Sequence, residues 1–184
     1  TVTLDGAGNQ TLRGAAVNTY YNLVLANSGV KTINNLTTIN GDVTVSGSAT
    51  ININNAAFVQ ASGKTFNYNS TGATTLANNT NISVGSFSQT NGTINNGNNS
   101  NFTLTGSSWS KTGGTFSTAG SGRVIFQGGS AQTFYETAAT TFTFVTLNNA
   151  NGVTLNSSNM SISGNLTFTN GNINTGTNIV ILTL

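Results

Sequence analysis

Asp5, Asp42 and Glu136 are the only side chains here suited to acid–base chemistry near neutral pH, because the chain has no His and no Cys. Cleaving a glycosidic bond takes two carboxyl groups set on either side of it. Asp5 and Asp42 are 37 residues apart. In a chain that coils about every 20 residues they fall just under two coils apart, and could share a face a little under about 10 Å from each other. Isolated turn or surface acids are the plainer reading, so no catalytic residue is assigned and the chain is expected not to be an enzyme. Asp5-Gly6-Ala7-Gly8-Asn9 has the glycine-rich character of a calcium loop. Calcium takes about six to eight oxygen ligands, generally with several carboxylates among them, and one Asp supplies too few. Transition metals lack His or Cys ligands altogether, so no metal and no cofactor is expected.

Four amphipathic aromatics could do a different kind of chemistry. Tyr20, Tyr21, Trp109 and Tyr135 could stack on sugar rings if they stand on a polar surface, though the plainer reading for each is packing in the core or at a corner. Phe102, Phe116, Phe126, Phe134, Phe144 and Phe168 read most simply as core or ladder residues. Thr-x-Thr pairs at Thr1/Thr3, Thr103/Thr105, Thr141/Thr143 and Thr167/Thr169 resemble the flat arrays of ice-binding solenoids, but they skip coils, and Thr favours strands anyway. Asn-x-Ser/Thr triplets are numerous (Asn35, Asn69, Asn78, Asn81, Asn91 and Asn165 among them). In a chain this rich in Asn and Thr they permit glycosylation without indicating it.

Charge excludes other functions. Only 4% of the 184 residues are charged, against about 25% in ordinary globular proteins. The pI of about 9.2 reflects a surplus of two charges. Arg13, Lys31, Lys64, Lys111 and Arg123 are scattered, whereas nucleic-acid binding needs clustered bases. No stretch approaches the roughly 20 apolar residues of a membrane span, and no secretion signal opens the chain. The chain begins and ends within strand patterns, as an excised piece or a mature subunit would. A chain without Cys is compatible with an extracellular setting.

The elements that must position these residues are short strands on a beat. The pairs Val2/Leu4, Leu23/Leu25, Val43/Val45, Phe66/Tyr68, Ile82/Val84, Phe102/Leu104, Val124/Phe126, Val145/Leu147 and Leu166/Phe168 recur at intervals of 21, 20, 23, 16, 20, 22, 21 and 21 residues. A looser column runs out of phase: Leu12, Ile33, Ile53, Leu76, Ile94, Phe116, Phe134, Leu155 and Ile173. Asn-Gly and Gly-Gly pairs between the strands suit tight corners, since both residues tolerate positive φ. A hairpin sandwich would use the same turns but would keep no long-range phase. The expectation is therefore an all-β fold: a single parallel β-solenoid domain over residues 1–184, about nine coils of roughly 20 residues, with both columns in phase throughout. Low charge fits this fold, because equivalent side chains sit about 4.8 Å apart on adjacent coils, where like charges repel.

A longer repeat is superimposed. Val2-Thr3-Leu4-Asp5-Gly6 through Gln10-Thr11-Leu12 matches Val124-Ile125-Phe126-Gln127-Gly128 through Gln132-Thr133-Phe134, a shift of 122. Leu23-x-Leu25 matches Val145-x-Leu147, and Gly41-Asp42-Val43-Thr44-Val45 matches Gly164-Asn165-Leu166-Thr167-Phe168 after one inserted residue. About 2–53 thus matches about 124–176.

The second copy reads Trp109, Gly114-Thr115-Phe116, Val124-Ile125-Phe126-Gln127-Gly128, Gln132-Thr133-Phe134, Phe142 to Leu147, Gly152-Val153-Thr154-Leu155, Gly164-Asn165-Leu166-Thr167 and Gly171-Asn172-Ile173-Asn174-Thr175-Gly176. In this order the pieces resemble the β-helical repeats of large Bacteroidota-type cell-surface adhesins and fibre proteins. The resemblance covers roughly 110 residues; about 54–107 fits only as generic coils. It implies a right-handed parallel β-helix, export to the bacterial surface, and a role in adhesion, fibres or gliding-type motility. The family's secretion signals and C-terminal sorting domain are not found in this sequence. The expected function is a non-catalytic stalk or fibre segment, extended by coil stacking, with the chain itself or surface glycans as partner, without nucleic acid and without membrane insertion. A carbohydrate-binding β-helix module is the alternative.

Overall fold

An apolar-x-apolar strand has one inward side and too little area to form a core alone, so such strands stack. The computed structural model describes residues 1–13, 17–54 and 57–183. It is an all-β parallel solenoid of about eight turns with about 21 residues per turn, and no helix occurs among the described residues. Each coil gives one strand to each of three faces. The first face stacks nine strands, from Val2–Leu4 to Ile173–Asn174, and the third stacks eight, from Val17–Tyr20 to Leu166–Asn170. The second face is broken into three sheets of three: Gln10–Leu12 to Thr50–Ile53, Ala73–Thr75 to Thr115–Thr118, and Thr141–Phe142 to Val180–Leu182.

Threonine hydroxyls sit at both breaks. At the first, Ile51 N–H donates to Thr74 Oγ1 at 2.9 Å in place of a ladder carbonyl. At the second, Thr143 N–H donates to Thr118 Oγ1, also at 2.9 Å.

The sequence beat changes face partway along, which corrects the expectation of two columns in phase throughout. Val2, Leu23, Val43 and Phe66 are register partners on the first face. Ile82, Phe102, Val124, Val145 and Leu166 are register partners on the third. The switch falls at the one short interval, the 16 residues between Phe66 and Ile82. The looser column also moves. Leu12, Ile33 and Ile53 align on the second face, as do Ile94 and Phe116, whereas Phe134 and Leu155 pair on the first.

The interior is aliphatic at the first coils and aromatic in the middle. Trp109 is fully buried, with Phe87, Phe116 and Phe142 ring centroids 4.4, 4.9 and 5.5 Å from its own. Phe102, Phe126 and Phe134 complete its surroundings. Phe144 instead faces outward, with the Arg123 guanidinium 5.9 Å from its ring centroid. At the last coil Phe168 and Leu182 occupy inward columns, yet are 54% and 56% exposed.

Candidate functional site

The chain's chemistry-bearing groups are largely inside the coil. On the first face Tyr68, Gln89, Lys111 and Glu136 are consecutive register partners, and all four point into the interior. Glu136 is 6% exposed. Its Oε1 accepts from Trp109 Nε1 and Thr140 Oγ1, each at 2.9 Å, and its Oε2 accepts from Thr140 N at 2.7 Å. Burial pushes the Glu136 carboxyl above the usual carboxylate range, against the downward pull of the Trp109 and Thr140 donors and the Lys111 charge. Lys111 Nζ donates to the Ala138 carbonyl at 2.6 Å. Burial likewise raises the Tyr68 phenol, whose hydroxyl lies 2.9 Å from both Gly72 O and Thr74 Oγ1. With both Glu136 oxygens engaged, this cluster secures the loop between Glu136 and Thr140.

Asp5 and Asp42 do not form a pair. Asp5 follows the first-face strand Val2–Leu4, and Asp42 precedes Val43–Gly47, so they stand at opposite edges of that face. Asp42 Oδ1 accepts from Thr65 N across one coil. The glycine-rich loop after Leu4 holds a cation of its own. Buried Lys31 Nζ donates to Gly6 O, Gly8 O and Gln10 Oε1 at 2.6, 3.1 and 2.9 Å. The loop oxygens that suggested calcium face an ammonium group.

Buried amides recur at the corners, where the backbone leaves its ladder and carbonyls need donors. Gln60 Nε2 donates to Gly41 O and Thr65 O at 3.0 and 2.9 Å. Gln89 Nε2 donates to Gly92 O and Thr115 O at 3.2 and 3.0 Å. Asn96 Nδ2 donates to Ser100 O and Arg123 O, both at 3.2 Å. Gln132 Nε2 donates to Leu104 O and Gly106 O at 2.9 and 2.7 Å, while its Oε1 accepts from Asn149 Nδ2 at 3.0 Å. Each amide bridges coils. Sequence reasoning gave these Gln and Asn side chains no place in the interior; the available signal was Gly-x-x-x-Gln, present at Gly6…Gln10 and again at Gly128…Gln132.

The four aromatics do not gather. Trp109, a possible glycan contact for which packing was the plainer reading, is 0% exposed, which leaves no ring face for a sugar. Tyr20 aligns with inward Ile39 and packs, half-buried, against the core of the first coils. Tyr21, at the adjacent corner, is 62% exposed with Lys64 Nζ 5.9 Å from its ring centroid. Tyr135 lies half-buried on the outside of the first face, in register with Ser110. The Thr-x-Thr pairs are also dispersed. Thr103/Thr105 and Thr167/Thr169 begin or lie on third-face strands, Thr1/Thr3 belong to the first face, and Thr141/Thr143 to the second-face edge.

Among the described residues no group of three or more His, Cys, Asp or Glu could hold a metal ion, and no helix is long and apolar enough to cross a membrane. Compared with protein families, with characterised proteins and with solved structures, the chain matches none of them.

Proposed function

We propose that this chain is a structural segment of an extracellular bacterial surface protein, a stalk or fibre element without catalysis of its own. The observation that carries this reading is where the polar chemistry is spent. The buried amides, Lys31 and Glu136 all bond backbone or side chains of the same or adjacent coils, which strengthens the rod and offers little to a substrate. The repeat's resemblance to Bacteroidota-type adhesins supports the surface location.

Cryo-electron microscopy of the purified chain across a concentration series tests this. About eight turns at about 4.8 Å predict rods roughly 40 Å long. Filaments of such rods would identify a self-assembling fibre subunit, and discrete rods a segment of a larger stalk. Compact particles with no axial repeat would overturn the reading.

A further inference from the structure

The corners where the third face turns into the first differ in length, and the differences carve a notch. Residues 61–64 form one corner and 127–131 another, but between them the chain turns through Gly85 alone and then through 105–107. The two long corners form the walls, the first leaning over Gly85, and residues 105–107 with Ser86 form the floor. Only glycine fits beneath the first wall and at the floor: a Cβ on Gly85 would overlap the Lys64 carbonyl oxygen, and one on Gly106 would overlap Ser86 N and the Ser62 carbonyl oxygen. Ser62 and Gly63 face Gly129 and Ser130 across a cavity of about 300 Å³. The walls start three coils apart, but the first leans across Gly85 until the Ser62 carbonyl oxygen reaches Gly106. A shallower arm of about 470 Å³ continues past Gly129 toward Gln127 and Asn148 on the third face.

No ionisable side chain lines either cavity, so charge selects nothing there. Their lining is hydroxyls, amides and glycine backbone, with Ala150 as its one apolar side chain. The floor's backbone donors are already taken: Ser86 N donates to Lys64 O, Thr105 N to Val84 O and Gly106 N to Gly85 O, at 2.7, 2.8 and 3.0 Å. An extended peptide therefore finds no free ladder to join. The side chains of Ser62, Gln127 and Asn148, by contrast, make no hydrogen bond among the described residues. Open hydroxyl and amide valences around an uncharged cleft match the alternating donors and acceptors of vicinal sugar hydroxyls.

We propose that this notch binds a neutral oligosaccharide, as the adhesive site of the rod. The inference rests on reading the chain as a surface-displayed segment, and it moves the glycan contact away from the aromatics to a site built by corner length.

Gly63 and Gly129 supply the test. Neither has a heavy atom within 4 Å of a built Cβ, and neither has positive φ. Gly63→Arg and Gly129→Arg should therefore fill the notch while the rod stays folded. Cellohexaose, mannohexaose, maltohexaose and chitohexaose would be titrated calorimetrically against the full chain, with melting and rod length recorded for each variant. The expected result is binding of at least one probe, weakened about tenfold or more by each arginine, a loss of about 1.4 kcal/mol, and unchanged by Tyr135→Ala on the first face. No binding of any probe at millimolar concentration would overturn the proposal, as would binding indifferent to both arginines, or capture of neutral peptides in place of sugars. Intact rods in those cases would leave the structural reading standing.

Discussion

Replacing Trp109 by alanine separates the interior assignment from a surface one by magnitude alone. An exposed sugar-stacking Trp would cost about 0.5 kcal/mol or less on truncation. Trp109 is fully buried among Phe87, Phe116 and Phe142, so its removal opens a large cavity beneath three rings. Buried Trp→Ala changes cost about 3–5 kcal/mol. Losing the Nε1–H also strips buried Glu136 of one donor at 2.9 Å, for about another 1–3 kcal/mol. In a chain of this length 1 kcal/mol shifts the melting midpoint by about 2–4 °C, so Trp109→Ala, at about 4–8 kcal/mol in all, should melt roughly 8–30 °C lower by circular dichroism. Trp109→Phe divides the two contributions, keeping most of the packing while losing the donor. It should cost about 1–3 kcal/mol and push the Glu136 carboxyl further up, because the Trp109 bond holds it down. A Trp109→Ala protein that melts with the parent chain would refute the interior assignment and the aromatic core built around it.

Other perturbations probe the remaining polar interior. The raised Glu136 carboxyl means the folded chain holds its proton to a higher pH than the unfolded chain does, so stability should fall as pH rises from the ordinary Glu value, 4.5, through the raised folded one. Lys111 is the charged neighbour acting on it; Glu136→Gln should flatten that slope in urea titrations over the same window. Gln132→Leu strands the Gly106 carbonyl, while Leu104 O keeps the Gln127 N–H and Asn149 Nδ2 keeps Ser130 O, so it should cost about 1–3 kcal/mol for the one unpaired group, seen as a lower melting midpoint. Lys31→Met empties the cage of Gly6, Gly8 and Gln10 oxygens, and hydrogen exchange should accelerate over residues 5–10 while the last coils keep their protection. Gly171→Ala forces a side chain onto φ +88° and against the Asn149 carbonyl, so it should loosen the last two coils before the rest.

Sequence periodicity yields the coil but not its phase. Every face of a three-sided coil needs an inward apolar pair, so Phe66/Tyr68 on the first face and Ile82/Val84 on the third look alike when read as letters. Only the 16-residue interval betrayed the change of face. The polar interior was harder to read for a related reason. Gln132 is buried because a corner carbonyl one coil back lacks a donor, a need that exists only after stacking. Trp109 stayed open to a surface reading for the opposite reason: its N–H suggests a wet edge, and the partner that lets it lie dry, Glu136, comes from the next coil.

The long repeat constrains what the rod can repeat on its surface. In the first copy Val2–Leu4, Leu23–Leu25 and Val43–Gly47 lie on the first face; their counterparts Arg123–Phe126, Phe144–Asn148 and Leu166–Asn170 lie on the third. The shift of 122 residues spans 17 strands, one short of six three-strand coils, so each copy is turned by one face relative to the last. A pattern that survives that rotation specifies strands and corners, since it cannot keep any one face oriented toward a ligand. The corner after the first strand of each copy shows the consequence. In the first copy residues 5–9 lie between the first and second faces and close around Lys31. In the second copy residues 127–131 lie between the third face and the first, where they form one wall of the notch. The other wall, 61–64, comes from the stretch between the copies. Binding at the notch is therefore a property of where two unlike corners meet, and in a tandem array of such units the notch would return to the same side of the rod only at every third unit.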